Sequence, residues 1–388
     1  MEGCELGIRE RLMEGPLARV LPHGPNPALG ALAGALESND TLIHRRAHGA
    51  GVVQRREDMT TLITGATGFV GINIIEALLG RGEEVVAFGL GALPAAASAE
   101  FKRYGKQLQV VSGDLRDAAS VAELFAGRRI DRMVHAAVIT AGVDREKREP
   151  HTIVDVNVTG TARMLEAAHQ HGVGRIVHVS SGSAYGRSLF ERPRLHEQVT
   201  PDQPETMYQL TKFAGERTAM RLRTLWNLDL VCTRLGSVIG PWERDTGVRD
   251  TLSSHFQLAR MALAGKNAVL PQREYRKDWV YCRDVAAGIL AMLDAKSPSH
   301  NLYNLTSGFS WGGLARWCEH LKAVRPGFEF HVAVDGETPN LSIAEKLDRG
   351  MMDIGRLTGD LGFHPSFDPD KAYEDYARWL LAHPDGGA

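Results

Sequence analysis

The sequence predicts an α/β protein: a doubly wound parallel sheet with a smaller C-terminal substrate lobe. Three observations predict it. From Thr61 onward, short runs rich in β-branched residues alternate with apolar patterns of helical period, which is how consecutive strand-helix-strand units read. A glycine-rich turn stands between the first such run and the first helical one, where sheets of this kind keep a ligand-binding loop. Finally, 388 residues with 43% hydrophobic and 24% charged side chains suffice for one large domain or two coupled ones around a packed core.

Taken in order, residues 1–58 read as an N-terminal extension of poor order. They contain Pro16, Pro22, Pro25 and Pro27 and mix arginines with acidic residues, without the continuous apolar run of a secretory signal. Strands are expected at Thr61–Thr64, Glu84–Phe88, Leu108–Val111, Arg132–His135, Arg175–Ser180 and Asp229–Leu235. Helical segments such as Val70–Leu79 and Val158–His169 fall between them. This assigns residues 59–235 to the nucleotide-binding domain. After Gly236 the pattern loosens through Pro241 and Trp242 before the helical run Leu252–Ala264, so the substrate lobe is expected over 236–388, with 278–305 returning to the main sheet.

Composition removes several function classes. Forty-five basic against 47 acidic residues, a net charge of −2, provide no field for a phosphate backbone, so no nucleic-acid partner is expected. The most apolar stretch, Val85–Ala99, is short and broken by Pro94, so no membrane partner is expected either. Cys4, Cys232, Cys282 and Cys318 are scattered without a CxxC pair, which reads as reduced thiols of a cytoplasmic protein. No metal site is expected: His169 and His171 point to different helix faces, and HExxH does not occur.

The turn Gly65-Ala66-Thr67-Gly68-Phe69-Val70-Gly71 follows a strand and opens a helix. Without Cβ atoms at Gly65, Gly68 and Gly71 the chain can turn tightly, its amides can face a pyrophosphate, and the helix amino terminus adds positive potential. Gly65, Thr67, Gly68, Phe69, Val70 and Gly71 are therefore candidate cofactor contacts. The second strand ends at Gly89, where a dinucleotide site usually has an acid for the ribose hydroxyls, and no cation follows before Lys102. The cofactor is read as NAD(P). An unpaired phosphate is harder to accommodate than a hydroxyl lacking one partner, so the reading leans to NAD. Asp114, followed by Leu115 after the third strand, either accepts from the adenine amino group or caps a turn.

Tyr208 and Lys212 lie four apart on an expected helix that follows Pro201 and Pro204, which puts both on one face. A phenol with a pKa of about 10 becomes a base at neutral pH only if roughly 4 kcal/mol of differential stabilisation favours its phenolate. An ammonium and an oxidised nicotinamide ring can supply that potential. Ser181 and Ser183 follow the fifth strand at its carboxyl end, where ligand crevices of parallel sheets form. A hydroxyl at Ser181 can hold a substrate oxygen and share its proton with Tyr208.

With these residues the chain resembles the extended short-chain dehydrogenase/reductase superfamily, in particular its NAD(P)-dependent epimerase/dehydratase branch. The resemblance spans roughly residues 60–365. It rests on the glycine turn, His135-Ala136-Ala137, Asn157-Val158-Thr159-Gly160-Thr161, the serine strand, Tyr208 to Lys212 with Phe213-Ala214-Gly215-Glu216, and Lys277-Asp278-Trp279 through Asp284-Val285-Ala286. It implies a Rossmann fold with Tyr208 as catalytic acid/base, Lys212 on the nicotinamide ribose, and Ser181 orienting the substrate hydroxyl. It also implies that Ala136 and Ala137 line the dinucleotide, that Asn157 supports the hydrogen-bond network, and that the chain forms a homodimer.

Departures from the family bear on substrate. Sugar-nucleotide 4,6-dehydratases carry an Asp-Glu pair after the catalytic hydroxyl, but Gly182-Ser183 stand here. Ser237 replaces the usual asparagine after the sixth strand, and Lys277 replaces an arginine beside Arg276. The expected function is that of an oxidoreductase or epimerase transferring hydride between nicotinamide and a secondary alcohol of a sugar or nucleotide-sugar substrate, two outcomes that share one half-reaction and the same motifs. The alternative of the same class is a uronate or sugar-acid dehydrogenase with net NAD reduction. The alternative of another class is a non-catalytic dinucleotide-sensing regulator. Thr140, Ser183, Trp242, Arg276 and Lys277 are the candidate substrate contacts, with core packing and solvated surface as the competing readings for the last three.

Overall fold

The computed structural model describes residues 59–343 and 347–385; the reading of residues 1–58 lies outside them. Seven strands form one parallel sheet: β1 (Thr60–Thr64), β2 (Glu84–Gly89), β3 (Leu108–Ser112), β4 (Arg132–His135), β5 (Arg175–Ser181), β6 (Asp229–Leu235) and β7 (Leu302–Leu305). They run β3-β2-β1-β4-β5-β6-β7, every pair parallel. The order reverses between β1 and β4, so a crevice opens there at the carboxyl ends of the strands. The sheet is doubly wound, as its sequence pattern implies.

Both faces of the sheet are apolar because both are covered. Along β1, Leu62 packs into a cluster with Leu124, Met164 and Leu165, whereas its neighbour Ile63 packs into the opposite cluster with Ile72, Ile75 and Leu78. Each such side chain removed from water contributes about 1.5–3 kcal/mol. Ile72, Ile75 and Leu78 lie on α1 (Phe69–Gly80), which follows the glycine turn. On the other face lie α2 (Gly160–Gln170) and α3 (Met207–Trp226). A capping box fixes where α3 starts: the Thr206 hydroxyl accepts from the Gln209 amide, and the Gln209 side chain accepts from the Thr206 amide. The helix ends at Asn227, whose left-handed φ of 49° turns the chain toward β6.

Beyond β6 the chain leaves the sheet at Gly236. A Cβ there would stand 2.7 Å from the Asp278 carbonyl oxygen and 2.9 Å from the Thr306 hydroxyl, so the approach of these segments requires glycine. Within 278–305, Leu302–Leu305 enters the main sheet as β7. Trp279–Tyr281 instead pairs with Ser237–Ile239, and α4 (Cys282–Asp294) packs on α1. Among the described residues no helix is long and apolar enough to cross a membrane. Cys232, Cys282 and Cys318 are buried free thiols.

Candidate active site

A cavity of about 920 Å³ occupies the crevice. The glycine turn lines it. Gly65 has φ +68°, and a Cβ on it would come within 2.8 Å of the Ala136 backbone; one on Gly71 would come within 2.3 Å of the Gly65 oxygen. The turn is thus pressed against the end of β4, and Thr64 Oγ1 accepts from the amides of Ala136 (3.2 Å) and Ala137 (3.3 Å). The helix cap, Gly68, has no side-chain hydrogen bond, and the first turn of α1 carries no acid. Its amide donors therefore suit an anion from outside the chain, such as the pyrophosphate of a dinucleotide. Thr67, Phe69, Val70, Ala136 and Ala137 line the cavity beside the turn.

Past Gly89 and Leu90, Asp114 and Leu115 line the same cavity. The Asp114 carboxylate accepts from the Arg116 amide at 2.8 Å and from the Arg116 side chain at 2.6 and 2.9 Å. These hydrogen bonds hold its pKa below the usual carboxylate range. Arg116 lines the cavity too. It was not identified from sequence, because nothing in its spacing distinguishes it from a solvated surface residue.

On the side of β5, Ser181 terminates the strand while Tyr208 and Lys212 project from the first turns of α3, and all three line the cavity. Ser181 Oγ accepts from the Ser183 amide at 3.1 Å. Lys212 is 6% exposed and donates to the Val179 carbonyl at 2.6 Å. Burial pulls its ammonium down to about 8, opposed by the Glu216 carboxylate. Asn157 lies behind the wall: its Oδ1 accepts from the Ile139 amide at 2.8 Å, and its Nδ2 donates to the Ile139 carbonyl and to Thr211 Oγ1 at 3.0 Å. It staples the segment after β4 to α3.

The candidate substrate contacts divide. Thr140, Ser183 and Lys277 line the cavity. Thr140 is held there by backbone bonds, its amide to Val248 O at 2.9 Å and its carbonyl from the Asp250 amide at 3.0 Å. Trp242 does not reach the cavity. It is 1% exposed, donates to Glu76 at 3.0 Å and packs against Phe101, Trp379 and His383, so it belongs to the core. Arg276 is exposed, its side chain donates to the Arg349 carbonyl at 3.0 Å, and it is not among the residues that line the cavity.

Arg244 and Arg349 are also among the cavity cations that the sequence reading did not name. Arg244 donates to the Thr67 carbonyl at 2.6 Å, while its Nε is buried without a hydrogen bond among the described residues. Arg349 lines the cavity and reaches Ser237 Oγ at 3.5 Å. Neither carries a local motif, since each is brought in by a loop closing over the crevice.

Comparison with known proteins agrees with this architecture. The family model described as the NAD dependent epimerase/dehydratase family matches residues 61–306. The chain is 31% identical over 263 residues to sterol demethylase protein B of Methylococcus capsulatus, covering 68% of this chain and 74% of that protein. It is 29% identical over 375 residues to UDP-glucuronate 4-epimerase 3 of Arabidopsis thaliana, covering 88% and 81% respectively. In fold it is similar to UDP-glucuronic acid 4-epimerase from Bacillus cereus, solved in complex with UDP-glucuronic acid and NAD: TM-score 0.67, 20% identity, 84% of this chain and 100% of that one.

Proposed function

The chain belongs to the NAD dependent epimerase/dehydratase family, and on that premise we propose that it oxidises a secondary alcohol of a nucleotide-linked sugar acid and returns the hydride to the opposite face. It is an NAD-dependent enzyme. The observation that carries this reading is the shared cavity, which Ser181 at a strand end, Tyr208 and Lys212 on one helix, and the glycine turn all line.

The open amino terminus of α1 and the glycine turn fit the pyrophosphate of NAD, which when bound supplies the hydride acceptor. Ser181 accepts the Ser183 amide hydrogen, which leaves its own hydroxyl proton to donate to the substrate oxygen. Tyr208 takes the proton of the substrate hydroxyl as hydride leaves carbon, and later returns it. The Lys212 ammonium, fixed by its bond to the Val179 carbonyl, stabilises the phenolate. Lys277 and Arg349 at the cavity wall suit an anionic substrate, and the relatives named as UDP-glucuronate 4-epimerases make a uridine diphosphate uronate the first choice. Elimination of water is disfavoured. Gly182 and Ser183 stand where dehydratases place two acids, and a Cβ at Gly182 would already meet Met352 Sδ at 2.7 Å.

The test is UDP-glucuronate with NAD, following product stereochemistry and nicotinamide absorbance together. Inversion without net reduction is expected, and Tyr208→Phe should lower turnover about a hundred- to ten-thousandfold in a folded protein. Undiminished turnover in that variant would remove Tyr208 from the mechanism. A second reading, oxidation of a sterol substrate, draws on the relative named sterol demethylase protein B; accumulation of reduced nicotinamide with a sterol alcohol would favour it.

A further inference from the structure

Behind the cavity wall lies a buried ionic cluster that the proton-transfer groups do not contain but lean on. Glu216 stands one turn after Lys212 on α3 and is wholly buried. Its Oε2 accepts from Ser180 Oγ at 2.8 Å and from Arg234 Nε at 2.8 Å, and its Oε1 accepts from Arg234 Nη2 at 2.7 Å. Arg234, on β6, is equally buried, pairs also with Asp202 at 2.7 Å, and lies over the Tyr185 ring at 4.3 Å. Two successive turns of α3 therefore grip two successive residues of β5: Lys212 takes the Val179 carbonyl and Glu216 takes the Ser180 hydroxyl. The next residue is Ser181.

We propose that Glu216, locked in place by Arg234, is a positioning residue for proton transfer, setting Ser181 and Lys212 relative to Tyr208. This rests on the reading of Ser181, Tyr208 and Lys212 given above. A buried ion pair of this kind is a poor source of net stability, because desolvation of both charges offsets their attraction. Its geometry has a local use instead. Four groups face Lys212: His135 at the end of β4, His178 on β5, Cys232 on β6 and Glu216 on its own helix. Burial holds both histidines well below their ordinary range and so uncharged at neutral pH, and it raises the Cys232 thiol. Glu216 is thus the group among these whose charge favours the Lys212 ammonium.

The decisive measurement is the ultraviolet titration of the Tyr208 phenolate in the NAD-loaded full chain, read as the difference from the same protein carrying Tyr208→Phe. Glu216→Gln alone leaves the buried Arg234 guanidinium with Asp202 as its remaining carboxylate and risks unfolding, so the working variant is Glu216→Gln with Arg234→Met, in which Asp202 keeps its contact with Arg217. Removing the carboxylate lets Lys212 lose its proton at lower pH, which withdraws positive potential from Tyr208. The Tyr208 transition should rise by about one pH unit. Ser180→Ala, which keeps every charge, should leave that transition in place and lower kcat several-fold on UDP-glucuronate with the KM for NAD unchanged. An unmoved Tyr208 transition in the folded double variant would overturn the proposal. A wild-type transition at the ordinary value of about 10 would instead overturn the proton-transfer reading on which it depends.

Discussion

Lys212 shows how much one buried charge can govern. In the folded chain its ammonium gives up a proton near pH 8, whereas the unfolded chain keeps it into the ordinary lysine range of about 10. Between these values the unfolded state binds more protons, so this residue opposes folding below about 8 and ceases to do so as pH rises through that window. The stability difference between wild type and Lys212→Met should therefore shift in favour of wild type from pH 7 to 10. Thermal unfolding of the two proteins across that range checks it; a constant difference would mean that Lys212 titrates normally. Tyr208, Lys212 and Ser181 were legible in sequence because helix spacing and a strand end place them by local rules. Trp242 was not. Its left-handed φ of 69° and its packing against Trp379 depend on segments more than a hundred residues apart, which no local pattern encodes.

At the scale of elements, the strand-turn-helix from Thr60 to Gly80 is the most completely encoded part of the molecule. β-branched residues make β1, glycines make the turn, and apolar periodicity makes α1. A methyl group on Gly71 would lie 2.3 Å from the Gly65 oxygen, so the turn must open to accept it. Gly71→Ala should weaken NAD binding at least about tenfold, since the amide array loses its geometry, and calorimetric titration measures this directly; unchanged affinity would place the cofactor elsewhere. The acid missing after β2 also has a physical reason. A Cβ on Gly89 would approach Thr67 Oγ1 at 3.2 Å, closer than most side chains allow. The short strand Trp279–Tyr281 was harder to foresee, because its partner Ser237–Ile239 is reached only after the chain turns out of the main sheet at Gly236.

For the molecule as a whole, the near balance of 45 basic and 47 acidic residues conceals a local excess. Arg244, Lys277 and Arg349 come from three distant stretches and line one cavity. On the proposed substrate, Arg349→Met should raise the KM for UDP-glucuronate at least about tenfold while leaving NAD affinity unchanged, because a cation lining the cavity is lost. Steady-state kinetics with each ligand varied in turn separates the two, and an equal loss of both would assign Arg349 to the fold. The doubly wound parallel sheet could be read from the chain because it follows from successive strand-helix units. The substrate side could be read only in part, since Arg244 and Arg349 are brought in by loops whose meeting is decided by the finished fold.

The bare amino end of α1 carries a consequence for the protein's survival. With no side chain of its own to satisfy those amides, the polypeptide leaves part of its cohesion to a diffusible metabolite, and whatever binds the native form alone shifts unfolding by mass action. Proteolytic lifetime should then lengthen when nicotinamide dinucleotide is plentiful and shorten when it is scarce, coupling abundance to the supply of the coenzyme.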